Sequence, residues 1–190
     1  MRTVNITIES SGPMLMHSDR TANPLNPHTK ALKAITGKRK KTDDDHYEIS
    51  KLEFIASCYH NGGWYLPSAN IEAMLLASAK HFKLGTTIKQ ALLVPDDGTF
   101  NFDDEKLKPV DLFKVDEYVD QRTVKVGTSK TIRTRPIFNK WKTTFTCWLD
   151  TDKMDVEQLV QIVENAGKYV GIGDYRPRFG KFTITKKEVQ

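Results

Sequence analysis

Residues 69–82 place Ile71, Leu75, Ala79 and Phe82 at i, i+4, i+8 and i+11, the period of a helix with one apolar face. A helix of that kind must be covered by another element, and the surrounding pattern supplies strands to cover it. Thr3-Val4-Asn5-Ile6-Thr7-Ile8-Glu9 alternates apolar and polar side chains, as a half-buried strand does. Residues 122–138 and 143–149 read as two further strands, the first folded into a hairpin around Gly127-Thr128-Ser129. A second amphipathic helix spans 155–169, with Val156, Leu159, Val160, Val163 and Ala166 inward, and residues 179–185 form a closing strand. The order is βαββαβ. The expected fold is α+β: a ferredoxin-like, RRM-like core with large insertions and a glycine-rich loop near its C-terminal end.

The insertions are expected at approximately 10–66 and 84–121, within one domain spanning 1–190. In the first, a short helix is expected from His28 to Ile35. A longer one, 44–57, follows a cap at Thr42 or Asp43, with Ile49, Leu52, Ile55 and Ala56 on one face. Ser57–His60 and Trp64–Leu66 flank Asn61-Gly62-Gly63, a hairpin signal. Ser68 is positioned to cap the helix at 69–82, with Glu72 near the capping-box position, and Asp150-Thr151-Asp152 to cap the helix at 155–169. The second insertion reads as surface turns and short strands.

Charge is segregated along the chain. Between Asp19 and Asp43 there are seven Lys/Arg and no acid, including the run Lys38-Arg39-Lys40-Lys41. Pro95 to Gln121 holds nine acidic and three basic residues. Arg122 to Trp148 again holds seven Lys/Arg and no acid, with Arg133 and Arg135 on one face of a strand. The net charge of +5 matters less than this distribution.

The stretch Gly171-Ile172-Gly173-Asp174-Tyr175-Arg176-Pro177-Arg178-Phe179-Gly180-Lys181-Phe182 holds three of eleven glycines, two arginines, a lysine and three aromatics. It lacks the third glycine of a dinucleotide fingerprint and follows a helix instead of a strand. No Gly-Lys-Ser/Thr follows, so it is not a P-loop either. Gly171 suits the residue after a helix end. Beyond that turn, backbone N–H groups with Arg176, Arg178 and Lys181 could hold phosphates, while Tyr175 or Phe179 stacks on a base.

These features together resemble the RAMP superfamily, which includes the backbone subunits of CRISPR effector complexes that coat a guide RNA. The residues carrying the resemblance are the entry Leu66-Pro67-Ser68 to the first core helix and the loop Gly171-Ile172-Gly173 … Arg178-Phe179-Gly180. The combination Asn-Pro-Leu-Asn-Pro (23–27), Gly-Lys-Arg-Lys-Lys-Thr-Asp (37–43), Arg-Thr-Arg-Pro-Ile-Phe (133–138) and the glycine stretch looks closer still to small uncharacterised bacteriophage and prophage proteins. The first core helix departs from many RAMP proteins in lacking a glycine-rich start. The resemblance implies a non-catalytic protein that binds single-stranded RNA or DNA and self-associates along it as an oligomer or filament. The expected contacts are Lys38, Arg39, Lys40, Lys41, Arg133, Arg135, Gly171, Gly173, Tyr175, Arg176, Arg178, Phe179 and Lys181.

Two other readings stand beside it. One is a protein-interaction or assembly module whose basic face meets an acidic surface. The other is a metal-dependent RNA nuclease, since some RAMP subunits cut RNA with an acidic residue in a loop comparable to that of Asp19. A lone carboxylate beside Arg20 is a poor metal site, and Cys58-x-His60 has no second ligand pair. No cofactor is expected. The polar N-terminus is unlike a signal peptide, and no apolar run reaches the ~20 residues of a membrane span, so a cytoplasmic protein is expected, in a bacterial host if phage-encoded.

Overall fold

The alternation of residues 3–9 becomes a central strand in the computed structural model, which describes residues 1–190, Val126 by its backbone alone. The strands are β1 (Arg2–Ser10), β2 (Met14–Leu15), β3 (Tyr65–Leu66), β4 (Leu92–Leu93), β5 (Gly98–Asn101), β6 (Val119–Val126), β7 (Ser129–Phe138), β8 (Lys142–Leu149) and β9 (Phe182–Val189). The helices are α1 (Pro27–Thr36), α2 (Asp43–Ser57), α3 (Ser68–Ala79), α4 (Gly85–Ala91), α5 (Pro109–Leu112) and α6 (Val156–Asn165). The chain divides into two units, one of residues 1–14, 61–105 and 139–190, the other of residues 15–60 and 106–138.

The first unit carries the ferredoxin-like core. Its sheet runs β3-β5-β8-β1-β9, with β4 also on β8, and β1 is antiparallel to both β8 and β9. Val4, Ile6 and Ile8 of β1 are fully buried, as are Cys147 and Leu149 of β8. Ile71, Met74, Leu75 and Ala79 of α3 and Leu159 and Val163 of α6 are buried too. The two helices are joined by the Ser78 hydroxyl, which donates to Ile162 O at 2.7 Å.

The second core strand is not the one expected. Residues 122–138 lie in the other unit, and the place beside β8 is taken by β4 and β5 in succession. That strand is broken because Pro95 has no N–H to offer a ladder and Asp97 turns to another task. Its carboxylate accepts from the Ser68 N–H at 2.8 Å, capping α3 from outside. Ser68 is therefore the first helical residue, not the cap, and Glu72 accepts from the Val94 N–H instead. Two other expected details change. Asp155, not residues 150–152, caps α6 in a capping box with Gln158. Tyr65–Leu66 pairs with β5 and α2 continues through Ser57, so the expected hairpin of 57–60 with 64–66 is reduced to single bridge residues at His60 and Trp64 on either side of Asn61-Gly62-Gly63.

The second unit is built from α1, α2, α5 and the β6–β7 hairpin. Asn26 caps α1 with Pro27 in its first turn, and Thr42 caps α2 in a reciprocal box with Asp45. Phe54, not the face drawn through Ile49, Leu52 and Ile55, is the fully buried large residue of α2. It meets Phe113 at 5.4 Å between ring centroids, and Tyr47 meets the same ring at 5.6 Å. The hairpin turns at Gly127-Thr128, with Val126 opposite Ser129, and β7 is central in a three-stranded sheet of order β2-β7-β6. Among the described residues no helix is long and apolar enough to cross a membrane.

Candidate nucleic-acid interface

The glycine stretch is a loop pinched shut at its base. After α6 the chain makes a wide π-type turn over Ala166–Val170. The Gly171 N–H then donates to Ala166 O at 2.7 Å. The Ile172 N–H donates to Gly180 O at 2.9 Å, and the Gly180 N–H to Pro13 O at 2.8 Å. Gly180 has φ +78, and a β-carbon there would lie 1.7 Å from Ile172 O, so only glycine allows this closure. The amides of Gly171 and Gly180 are thus engaged inside the fold.

Between the pinch points the loop sorts its residues by exposure. Ile172 is buried and Phe179 is 7% exposed, whereas Tyr175 is 52% exposed. Arg176 and Arg178 are also exposed, and neither makes an ion pair among the described residues. Of the two rings offered for stacking, Tyr175 faces solvent and Phe179 supports it, with centroids 5.8 Å apart. Lys181 donates from Nζ to Lys168 O at 2.6 Å, a bond that satisfies a carbonyl at the end of the helix. The structure therefore brings Gly173, Tyr175, Arg176 and Arg178 onto one projecting loop, with Gly171, Phe179 and Lys181 as its footing.

The hairpin arginines have a different setting. Arg133 lies opposite Arg122, and Arg135 opposite Asp120. Arg122 is paired with Asp120. Arg133 is paired with Glu53 of α2, whose other oxygen accepts from the Thr134 N–H at 3.1 Å. Arg135 is 8% exposed. Arg133 and Arg135 line a cavity of about 340 Å³ with His17 and Glu53. Arg133 also borders a wide cleft of about 1330 Å³ together with Lys41 and Lys130. Within the run at 38–41, Lys38 pairs with Asp45 at 2.6 Å, and Lys41 donates to Lys38 O at 3.0 Å. The Lys38 hydrogen bond, joined by the Thr42 backbone, holds the Asp45 carboxyl below the usual carboxylate range. Arg39 and Lys40 are exposed.

Asp19 is exposed in a 3-10 turn over Asp19–Ala22. Among the described residues no group of three or more His, Cys, Asp or Glu side chains is placed to hold a metal ion. Burial pushes the Cys58 thiol far up. Burial, then the charges of Arg20 and Lys108, lowers His60; burial and Arg20 do the same to His28.

The outer face of the core sheet is not an aromatic platform at its centre. Thr7 and Thr144 share a hydrogen bond at 2.9 Å, and Thr146 donates to Asn5 at 2.8 Å. Trp148 is 43% exposed at one end of that face, whereas Trp64 and Trp141 are buried. The charge pattern missed Tyr169 and His81, which border a groove of about 570 Å³ with Tyr175 and Arg176. A large ring at the end of an amphipathic helix, off its apolar stripe, was the available signal for Tyr169.

No protein-family model matches the chain, and no curated protein matches it in sequence. Solved structures do match in fold. One is a chain from a cryo-EM structure of Type III-B Cmr-beta bound to cognate target RNA, with a TM-score of 0.53 and 12% sequence identity. The match covers 99% of this chain and 60% of that one, so this chain spans only part of its neighbour's length. The likeness shows a shared fold, in keeping with the ferredoxin-like order of the first unit.

Proposed function

We propose that this chain binds single-stranded nucleic acid, RNA or DNA, without cutting it, and that copies assemble side by side along the strand. The observation that carries this reading is the glycine loop, which presents Tyr175, Arg176 and Arg178 to solvent on a base closed by backbone hydrogen bonds. A preorganised loop with two cations and one exposed ring suits a strand's phosphates and bases. The fold is shared with a chain of a complex that is itself bound to target RNA, and the motif resemblance favours a protein of phage or prophage type acting in the cytoplasm. Arg176 and Arg178 are the main phosphate contacts. Arg133, Arg135 and Lys38–Lys41 contribute less, because Glu53 and Asp45 already offset part of their charge.

The test is fluorescence anisotropy with a labelled single strand over a series of salt concentrations. The Arg176→Ala/Arg178→Ala protein should bind at least several-fold more weakly at fixed salt. Its log K against log salt slope should be shallower by about 1.4, the share of two phosphates on a single strand. Its thermal stability should be unchanged, since both side chains are exposed. Unaltered binding would remove the loop from the interface. Wild-type protein that purifies with a protein-like A260/A280 ratio and binds no strand would instead favour the assembly module.

A further inference from the structure

The groove beside the glycine loop is more specific than a phosphate grip requires. His81 lies just beyond the end of α3, Tyr169 in the turn after α6, and Tyr175 and Arg176 in the loop; all four line the groove, with Asp174. Tyr169 is 56% exposed and Tyr175 52%. Tyr175 sits at φ 56, the left-handed region, where a residue with a β-carbon costs roughly 1–2 kcal/mol relative to glycine. The ring packs on Phe179 with centroids 5.8 Å apart and still lines the groove, and strain of this kind concentrates at functional sites.

The state of His81 is fixed by its neighbours. The Ser78 hydroxyl donates its one proton to Ile162 O, so Ser78 Oγ accepts from Asn165 Nδ2 at 2.7 Å. That orients the Asn165 amide, whose second N–H points to His81 Nδ1 at 3.0 Å. In the neutral ring Nδ1 is then the acceptor and the proton is on Nε2. His81 thus offers an N–H donor at the groove, positioned by a chain of hydrogen bonds across α3 and α6. Lys168 Nζ lies over the Tyr169 ring, 5.4 Å from its centroid.

We infer that this groove is a nucleobase subsite. One base of the bound strand stacks on Tyr169 and Tyr175, His81 Nε2–H donates to a ring nitrogen or carbonyl oxygen of that base, and Arg176 holds the adjoining phosphate. The inference rests on the reading of the chain as a single-strand binder and adds to it Tyr169 and His81, which take no part in the phosphate grip. Stacking is tolerant of sequence, because every base has a π-face, so the subsite would register the strand on the protein without demanding one sequence.

Two labelled strands of equal length test it, one intact and one abasic throughout. Tyr169→Leu should weaken binding of the intact strand roughly 5- to 150-fold, the range for loss of one stacked base. It should leave the abasic strand and the salt slope unchanged, since no counterion release is lost. Tyr169→Phe should restore binding. Equal weakening on both strands, or none on either, overturns the subsite. Should Arg176→Ala/Arg178→Ala weaken both strands while Tyr169→Leu changes neither, the subsite fails and the single-strand reading stands. Wild-type protein that binds neither strand overturns both.

Discussion

The glycine stretch of the first unit and the β6–β7 hairpin of the second are both basic and both turn at a glycine with positive φ, yet they treat their arginines in opposite ways. Arg176 and Arg178 reach solvent with no ion pair among the described residues. Arg122 and Arg133 are paired with Asp120 and Glu53, and Arg135 is buried. The hairpin's arginines are paired or buried; those of the loop are left to meet something else. An acid-free stretch of sequence is therefore not an unneutralised surface. Glu53 reaches Arg133 from a helix eighty positions earlier, and only the fold reveals the pairing.

The backbone sets the two regions apart most sharply. A β-carbon on Gly180 would overlap Ile172 O, whereas one on Gly127, at φ +60, meets nothing within 4 Å. Gly180→Ala should cost roughly 4 kcal/mol or more, the range reserved for steric strain that cannot relax. Gly127→Ala should cost about 1 kcal/mol, the left-handed term alone. Urea denaturation followed by circular dichroism separates them, and comparable losses at the two positions would erase the distinction.

Glu53→Ala probes the arginines directly. It removes the partner of Arg133 and leaves the Thr134 N–H without its carboxylate, for a loss of about 2 kcal/mol. It also unmasks Arg133 at the wide cleft. Strand affinity should then rise, and the salt slope should steepen by about 0.7, one further phosphate on a single strand. Lower affinity at an unchanged slope would mean that the hairpin arginines serve the fold alone.

Elements held together by short-range chemistry were readable from the chain. The alternation of Thr3–Glu9, the Thr42 cap and the turn at Gly127-Thr128 each depend on neighbours within a few residues, and each forms. The second core strand was readable only as a short apolar strand over 91–94 inside an expected surface insertion, because β4 and β5 are two and four residues long and acquire their place in the core from pairing with β8. Residues 122–138 alternate more convincingly and read as core. The Ser68 cap failed for a related reason: a carboxylate 29 positions away reaches the helix end first. At the candidate site, the basic and aromatic residues of the loop were visible as composition. The groove was not, since Ser78 and His81 meet Asn165 across more than eighty residues of chain.

The two cysteines allow the comparison to be followed one unit at a time. Cys58 belongs to the second unit and Cys147 to the first, and both are fully buried. Burial pushes the Cys147 thiol up to about 12, with Glu72 adding to the effect, and pushes Cys58 higher still. Because the thiolate is the nucleophile, neither should react with iodoacetamide at pH 8 until its unit opens. The raised pKa also fixes the sign with pH. Below about pH 9 the thiols are protonated whether the chain is folded or not, so their contribution is fully present; it is lost as pH rises from there towards 12, where only the unfolded chain gains by releasing the proton. At pH 8 this titration is silent, and labelling rates report opening alone. Glu53→Ala should speed labelling of Cys58 more than that of Cys147, and Gly180→Ala should do the reverse. Mass spectrometry of the labelled peptides distinguishes the sites. Equal acceleration of both thiols in both variants would show that the chain opens as one cooperative domain, with the loop and the hairpin sharing a single stability.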